Sequence, residues 1–533
     1  MRADGPSGRG GAMTADGPPR PDPAGRGGFG RLVRAEWTKF RTVRGWVAGM
    51  AAAALVTVLL GLMSAAGSHT SCGGPDDTCP APPVGPGGEA VSDHFFFAHR
   101  TLTGDGSVTA RVTSMTGQVR VPDVQPGVRR VESRVVPWAK AGLIVKDGVR
   151  QGSTYAAVMV TGAHGVRMQH DFTQDTAGRP GGVSAASPRW LRLDRAGEEI
   201  TGYESEDGRR WTRVGTARLP GLPETAQIGL FAASPGDLTV RRADFGGSIE
   251  QVRFSETTAV FDRVELSGRV AGGTWSRDDI GATTEADGVT LHHPGGFHES
   301  GGTYTVTGVG DIGPLTDGQR AENTLTGVVI GLIVVIVVAV VFVTAEYRRG
   351  LIRTTLLAAP RHGRALAAKA VVIAAVTFAA GLAATAVTVP WGTGLLRGNG
   401  NIVLPVSVAA QVRLVAGVAL LMAAAAVLAL ALGALFRRGT AAITAAIAVV
   451  VVPHLLATAS ILPDEAARWL LRVTPAAGFA IQQSIPAYPQ VLANYVPSAG
   501  YYPLAPWAGL AVLCGYAALA LALAVVRLDR RDA

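Results

Sequence analysis

Several engines are missing from this chain. No G-x-x-x-x-G-K-[ST] occurs anywhere, so ATP is not bound by a P-loop. Neither an aspartyl-phosphate motif nor a string of acids through the apolar runs is present, which sets aside P-type pumping and the acid relays of many proton-coupled carriers. Charged residues make up only 17% of the chain against 48% hydrophobic, a balance that points away from a large soluble enzyme and toward the membrane. Cysteine is scarce. Of the three, Cys72 and Cys79 sit close together in "CGGPDDTCPAPPVGPGG" and Cys514 stands alone in an apolar run. No group of Cys, His and carboxylates is dense enough to predict a metal; His292, His293 and His298 lack the partners such a site needs.

What is present is organised by charge. The net charge of +9 suggests nucleic acid at first sight, but residues 67–323 hold 25 Lys+Arg against 31 Asp+Glu, and the rest holds 24 against 9. The basic excess flanks apolar runs: Arg31 to Arg44, Arg348 to Lys369, Arg437 and Arg438, and Arg527 to Arg531. Cations clustered at alternate ends of successive spans are the positive-inside bias, so no nucleic-acid partner is expected.

A bilayer core requires about 20 apolar helical residues. Six runs qualify: Trp46–Ala66, Leu325–Thr344, Ala370–Trp391, Leu414–Phe436, Ala441–Leu462 and Trp507–Val526. Placing the basic clusters inside puts both termini in the cytoplasm and residues 67–323 outside, in a multi-pass protein of the plasma membrane. The first run is read as a span, since it is long for a cleaved leader and follows an unusually long polar stretch. Residues 1–29, rich in Gly, Pro and Arg, are expected to be a disordered tail.

Residues 30–45 predict an amphipathic helix at the inner membrane face, in contact with lipid headgroups. Leu32, Val33, Trp37, Phe40 and Val43 share a sector of about 140° on the helical wheel. Glu36 falls inside that sector, where an unpaired carboxylate is costly. Either a nearby arginine neutralises it, or it contacts another subunit or the loop after the second span.

After a linker at 67–88, where Cys72 and Cys79 predict a small disulfide loop in an oxidising compartment, period-two alternation takes over. In "GSVTARVTSM", Val108, Ala110 and Val112 share one face and Thr109, Arg111 and Thr113 the other. "AGLIVKDG", "STYAAVMVTG" and "AQIGLFAAS" continue the pattern between Gly- and Asp-rich turns. The expectation for 89–314 is an all-β, antiparallel sandwich, with "GGTYTVTGVGDIGP" supplying closing strands. With "WAKAGLIVKDG", "PRWLRLDRAG" and "YESEDGRRW", the block resembles concanavalin A-like lectin/glucanase domains. The resemblance implies cell-surface glycan as a partner, with Trp138, Trp190, Trp211, Tyr155 and Tyr203 as stacking candidates; packing in the core is the plainer reading of the same rings. Hydrolysis needs two carboxylates at a set separation, and Glu198, Glu199, Glu204 and Glu206 sit at turns instead.

The remaining segment, 324–533, carries five of the six runs. The charged loop 346–369, "EYRRGLIRTTLLAAPRHGRALAAK", follows an uncharged run. "GLIRTTLLAA" predicts a short helix that Pro360 and Gly363 end. Gly327 and Gly331 form a G-x-x-x-G suited to close helix approach, and Pro453 with His454 is expected to interrupt the fifth run. "EAARWLLRVTPAAGFAIQQSIP" is a candidate re-entrant segment.

"EWTKFRTVR", the 346–369 loop, "VTPAAGFAIQQSIP" at Val473–Pro486 and the terminal "RRDA" together resemble ABC-2-type transporter permeases. The resemblance implies an export subunit rather than an enzyme. It pairs with a second permease copy and with separate ATP-binding subunits that carry the ATP and magnesium, so no cofactor is expected in this chain. By position it makes Glu346, Arg348, Arg349, Gly350, Arg353, Thr354, Thr355 and Pro360, with Glu36 and Lys39, the ATPase-coupling element. His454 and Pro453 are candidates for a transport pathway. The competing reading is a membrane-anchored carbohydrate-binding or sensing protein.

Overall fold

The computed structural model describes residues 28–71, 79–121, 130–242, 248–283, 290–348 and 362–531. Eight α-helices are found among them: α1 (Gly28–Thr42), α2 (Arg44–Ala66), α3 (Val328–Arg348), α4 (His362–Gly398), α5 (Val408–Phe436), α6 (Gly439–Thr458), α7 (Asp464–Val473) and α8 (Pro506–Arg531). Six of these, α2 to α6 and α8, are long and apolar enough to cross a membrane.

Helix α5 is the hub. It carries no charge from Leu414 to Phe436 and is apolar all round, the pattern of a helix without a solvated face. It packs against α3, α4, α6 and α8. Ser407 caps its start by accepting from the Ala410 N–H, and Arg437 ends it in the left-handed conformation at φ 57°. The G-x-x-x-G works as expected: a Cβ at Gly327 or Gly331 would collide with Thr57 of α2.

Two expectations about the helices need correction. Pro453 does not interrupt α6, which stays helical to Thr458 although proline withholds one backbone N–H. Helix α4 likewise runs past Pro390 to Gly398, well beyond the predicted end at Trp391. Its overhang is fixed by Asn399 and Asn401, whose amides donate to the α2-terminal carbonyls of Ala65, Ala66 and Ser68. Residues 475–482 form a fully buried 3-10 turn against α5 and α8, where small residues admit it: Gly509 lies under Ala477 and Gly417 under Ile481. Cys514 is free and exposed on α8 rather than packed.

Between α2 and α3 lies a large β domain, built on a fourteen-stranded sheet curled nearly into a barrel. Its spine is the 27-residue strand Phe95–Val121. The first half pairs with Thr225–Ala233 and Ser276–Ile280, the second with Arg189–Ala196 and Ser255–Val270. Val108, Ala110 and Val112 are fully buried, as the alternation predicts. In Lys140–Lys146, Tyr155–Thr161 and Thr225–Ala233 the alternation does not mark a solvated face. Leu143, Val145, Val158 and Leu230 enter the main core, while Ile144, Met159 and Phe231 enter a second core with Phe95, Phe97 and Phe172. Strands covered on both faces read as continuous apolar runs.

The second core is roofed by a two-stranded ribbon, Val91–Asp93 paired with Ile312–Pro314, through which the chain enters and leaves the domain. Two buried lysines of one strand pin it. Lys146 Nζ donates to Asp93 at 2.8 Å, and Lys140 Nζ to Asp311 at 2.6 Å and to the Ile312 carbonyl at 2.6 Å.

Candidate functional site

Helix α1 buries Glu36 and Phe40, whereas Trp37 is largely exposed. Phe40 packs edge-on against Phe342 of α3 and beside Trp46 of α2, which orients α1 against the bundle. The acid that looks misplaced in the apolar sector therefore faces the interior, and it is matched there by lysines rather than by an arginine.

Lys369, near the start of α4, sends Nζ to Glu36 Oε2 and to Glu346 Oε1, both at 2.6 Å. Lys39 closes the figure, with Nζ 2.9 Å from Glu36 Oε1 and 3.1 Å from Glu346 Oε1. Two carboxylates and two ammonium groups alternate around a ring, so the formal charge cancels. Lys369 also lies over the Phe342 ring at 5.0 Å. Burial works against the charge on Lys39, but Glu36 and Glu346 outweigh it and hold its ammonium above the ordinary lysine value. Paired and hydrogen-bonded, such charges persist away from water; removal of one partner strands the other.

The ring joins three elements: the interfacial helix α1, the end of α3 and the start of α4. It thus ties both flanks of segment 349–361 to one point. Of the predicted coupling residues, Glu36, Lys39 and Glu346 meet in the ring, and Arg348 ends α3. Arg349, Gly350, Arg353, Thr354, Thr355 and Pro360 lie outside the described residues. Lys369 is the member that sequence reasoning left out of the site. Its signal was a lone lysine at the head of an apolar run, opposite a lone glutamate at the end of the preceding one.

At the other end of the bundle, His454 stacks on Phe479 with ring centroids 3.8 Å apart. It borders a cavity beneath the β domain together with Arg320, Glu322, Gln482 and Tyr501. Pro453 lies in α6 beside it. None of these partners was singled out from sequence, because they come from separate loops.

The aromatic candidates in the β domain divide. Tyr155 has no exposed surface and Trp138 is 5% exposed, stacked on His164 at 3.9 Å; rings closed in this way offer no face to a sugar. Trp190, Trp211 and Tyr203 are half-buried. Trp190 is bordered by the guanidinium groups of Arg111 and Arg263, at 5.6 and 6.0 Å, and by Gly208. The acids nearby serve local structure: Glu204 accepts from the Arg179 N–H and Glu198 from the Gly221 N–H, while Glu206 pairs with Arg179 and Arg189. Cys79 is disulfide-bonded; Cys72, its expected partner, lies outside the described residues.

No protein-family model matches the chain, and no curated protein matches it. Among solved structures, scytalido-glutamic peptidase with a transition state analog inhibitor is similar over 40% of this chain and 98% of its own, at 8% identity and a TM-score of 0.26. A functionally unknown protein from Saccharomyces cerevisiae is similar over 32% and 74%, at 13% identity and a TM-score of 0.20. Likeness at this level carries no argument about function.

Proposed function

We propose that this chain is the membrane-spanning subunit of an ATP-driven exporter of the ABC-2 type. Both termini and segment 349–361 face the cytoplasm of a plasma-membrane protein, and the β domain, of concanavalin A-like sandwich type, stands outside. The chain works with a second permease copy and with separate ATP-binding subunits.

The observation that carries this reading is the ring of Glu36, Lys39, Glu346 and Lys369. A loop that only marks topology needs its cations near headgroups and nothing more. Here both flanks of the loop are ion-paired to an interfacial helix and buried, an arrangement suited to passing force from a docked ATPase into α1, α3 and α4 together. The missing P-loop fits an engine on another chain.

The test is purification from the native host in mild detergent, with mass spectrometry of co-purifying chains and ATPase assay of the same sample. A stoichiometric P-loop ATPase is expected, and Arg353→Ala or Pro360→Ala should lower its stimulation while leaving membrane insertion intact. A well-folded chain that brings no ATPase with it would end this reading.

A further inference from the structure

A groove of about 580 Å³ lies between α4 and α5 at the β-domain end of the bundle, roofed by loop 403–406. How the two helices are held explains it. At one level they touch: a Cβ at Gly381 would lie 3.1 Å from Cα of Ala419, and the Thr385 hydroxyl is 3.1 Å from the Val415 carbonyl. Closer to the β domain, α4 is fastened to α2 instead, through Asn399 and Asn401. The helices therefore part, and the small side chains of Ala386 and Ala416 leave the space between them open.

The groove opens sideways. Ala386, Pro390 and Val412 are exposed at its rim, Val412 at 61%, and all three belong to helices long and apolar enough to cross a membrane. Leu382, Val389, Leu404, Val406 and Val415 make the wall apolar, and the volume is that of ordinary ligand pockets. What such a surface meets in a bilayer is acyl chain.

One charge marks its edge. Among the described residues Arg397 is the sole charged group lining the groove; it is exposed and has no ion-pair partner there. From Lys369 in the four-charge ring to Arg397 the helix rises about 42 Å, more than the roughly 30 Å of a hydrocarbon core. With the ring at one face of the bilayer, the guanidinium reaches the headgroup layer at the other. Trp391, 67% exposed and a ring of the kind that favours this interface, lies just before it on α4. Thr393 donates its hydroxyl proton to the Pro390 carbonyl at 3.0 Å, while Gln411 donates one amide N–H to the Val406 carbonyl at 3.4 Å and keeps the other. The polar edge thus offers a guanidinium and a spare N–H, the complement of a phosphate. We infer that the groove holds one acyl chain of an anionic phospholipid, with the lipid phosphate on Arg397 and Gln411. A zwitterionic lipid brings the same chain but cancels its phosphate charge, so the arginine selects for net negative charge. The site requires only that α4 and α5 cross a membrane and stands whether or not an ATPase drives this chain.

The experiment is native mass spectrometry of the full chain, stripped of lipid in detergent and titrated with palmitoyl-oleoyl phosphatidylglycerol or with phosphatidylcholine of the same chains. One saturable phosphatidylglycerol per chain is expected, favoured over phosphatidylcholine about fivefold. Arg397→Gln, at an exposed position that supports nothing else, should erase that preference. Ala386→Trp, also at an exposed position, fills the groove and should remove the adduct with either lipid. Glycerol phosphate, a head without chains, should fail to displace the bound lipid. Adducts that grow with no step at one per chain would mean general lipid coating and overturn the assignment. So would equal retention of the two lipids, a preference that survives in Arg397→Gln, full binding by a folded Ala386→Trp protein, or displacement by glycerol phosphate.

Discussion

The ammonium of Lys146 sits 2.8 Å from Oδ2 of Asp93, and neither side chain has any exposed surface. The lysine belongs to a central strand of the β domain and the aspartate to the ribbon that carries the chain in from α2. Burial lowers the Lys146 ammonium below the ordinary lysine value, with Asp93 opposing that shift. Removing one member leaves the other charged and dry, which costs about 3–5 kcal/mol. Lys146→Met should therefore lower the melting temperature of the β domain, followed by its tryptophan fluorescence, and a second change, Asp93→Leu, should recover much of the loss. An unchanged transition in the single variant would show that the pair is dispensable.

The four-charge ring makes a parallel demand at the opposite end of the molecule. Lys369→Met leaves Glu36 and Glu346 sharing Lys39 alone, a loss of about 3 kcal/mol by the same reasoning. Lys369→Arg keeps the charge but not the compact point geometry. Thermal unfolding in nanodiscs should rank the proteins wild type, Arg, Met. If the ring also transmits force, partner ATPase stimulation falls in that order.

Close approach of α2 and α3 gives a finer test. A Cβ at Gly327 meets the backbone of Thr57, which cannot move aside, whereas at Gly331 it meets first the Thr57 hydroxyl. Overpacking of this kind costs about 1–3 kcal/mol. Thr57→Ala should thus rescue much of the melting-temperature loss of Gly331→Ala and little of that of Gly327→Ala. Equal rescue of both would contradict the register described.

Glu322 predicts a pH dependence with a definite sign. Burial raises its carboxyl above the ordinary 4.5 despite the Ser484 hydrogen bonds. The folded chain then binds more protons than the unfolded one in the window just above 4.5, so the stability tied to this group is complete below that value. It is lost as pH rises through the folded value. Glu322→Gln, which cannot ionise, should melt higher than wild type at pH 7.5, and the two curves should converge near pH 4.5. A constant offset across that range would rule out ionisation of Glu322 as the cause.

The six long helices were legible because about 20 uncharged residues in a row admit few other structures. Strand alternation was equally plain at Val108, Ala110 and Val112. It left open whether Ile144, Met159 and Phe231 are covered, because a period of two says where side chains point and not whether anything packs on them. Helix ends were the weak point: Pro453 was taken as a break and the third run was ended at Trp391, yet both helices keep running, to Thr458 and to Gly398. Glu36 was recognisable as a charge needing a partner, but its partner Lys369 lies 333 residues away. Only three-dimensional packing joins them. The same distance hid the cavity, whose lining residues His454, Gln482 and Tyr501 come from separate segments and signal nothing in order along the chain.

The paired ribbon Val91–Asp93 and Ile312–Pro314 has one more consequence. Adjacent antiparallel strands run about 4.8 Å apart, so the chain leaves the helix bundle and returns to it through a single doorway. More than two hundred residues hang on two neighbouring threads. The β domain is thereby a cassette: exchanged for a short turn, or for another domain whose ends lie together, it would leave α2 and α3 the same distance to span. The β domain could be gained, lost or replaced without redesigning the helix bundle.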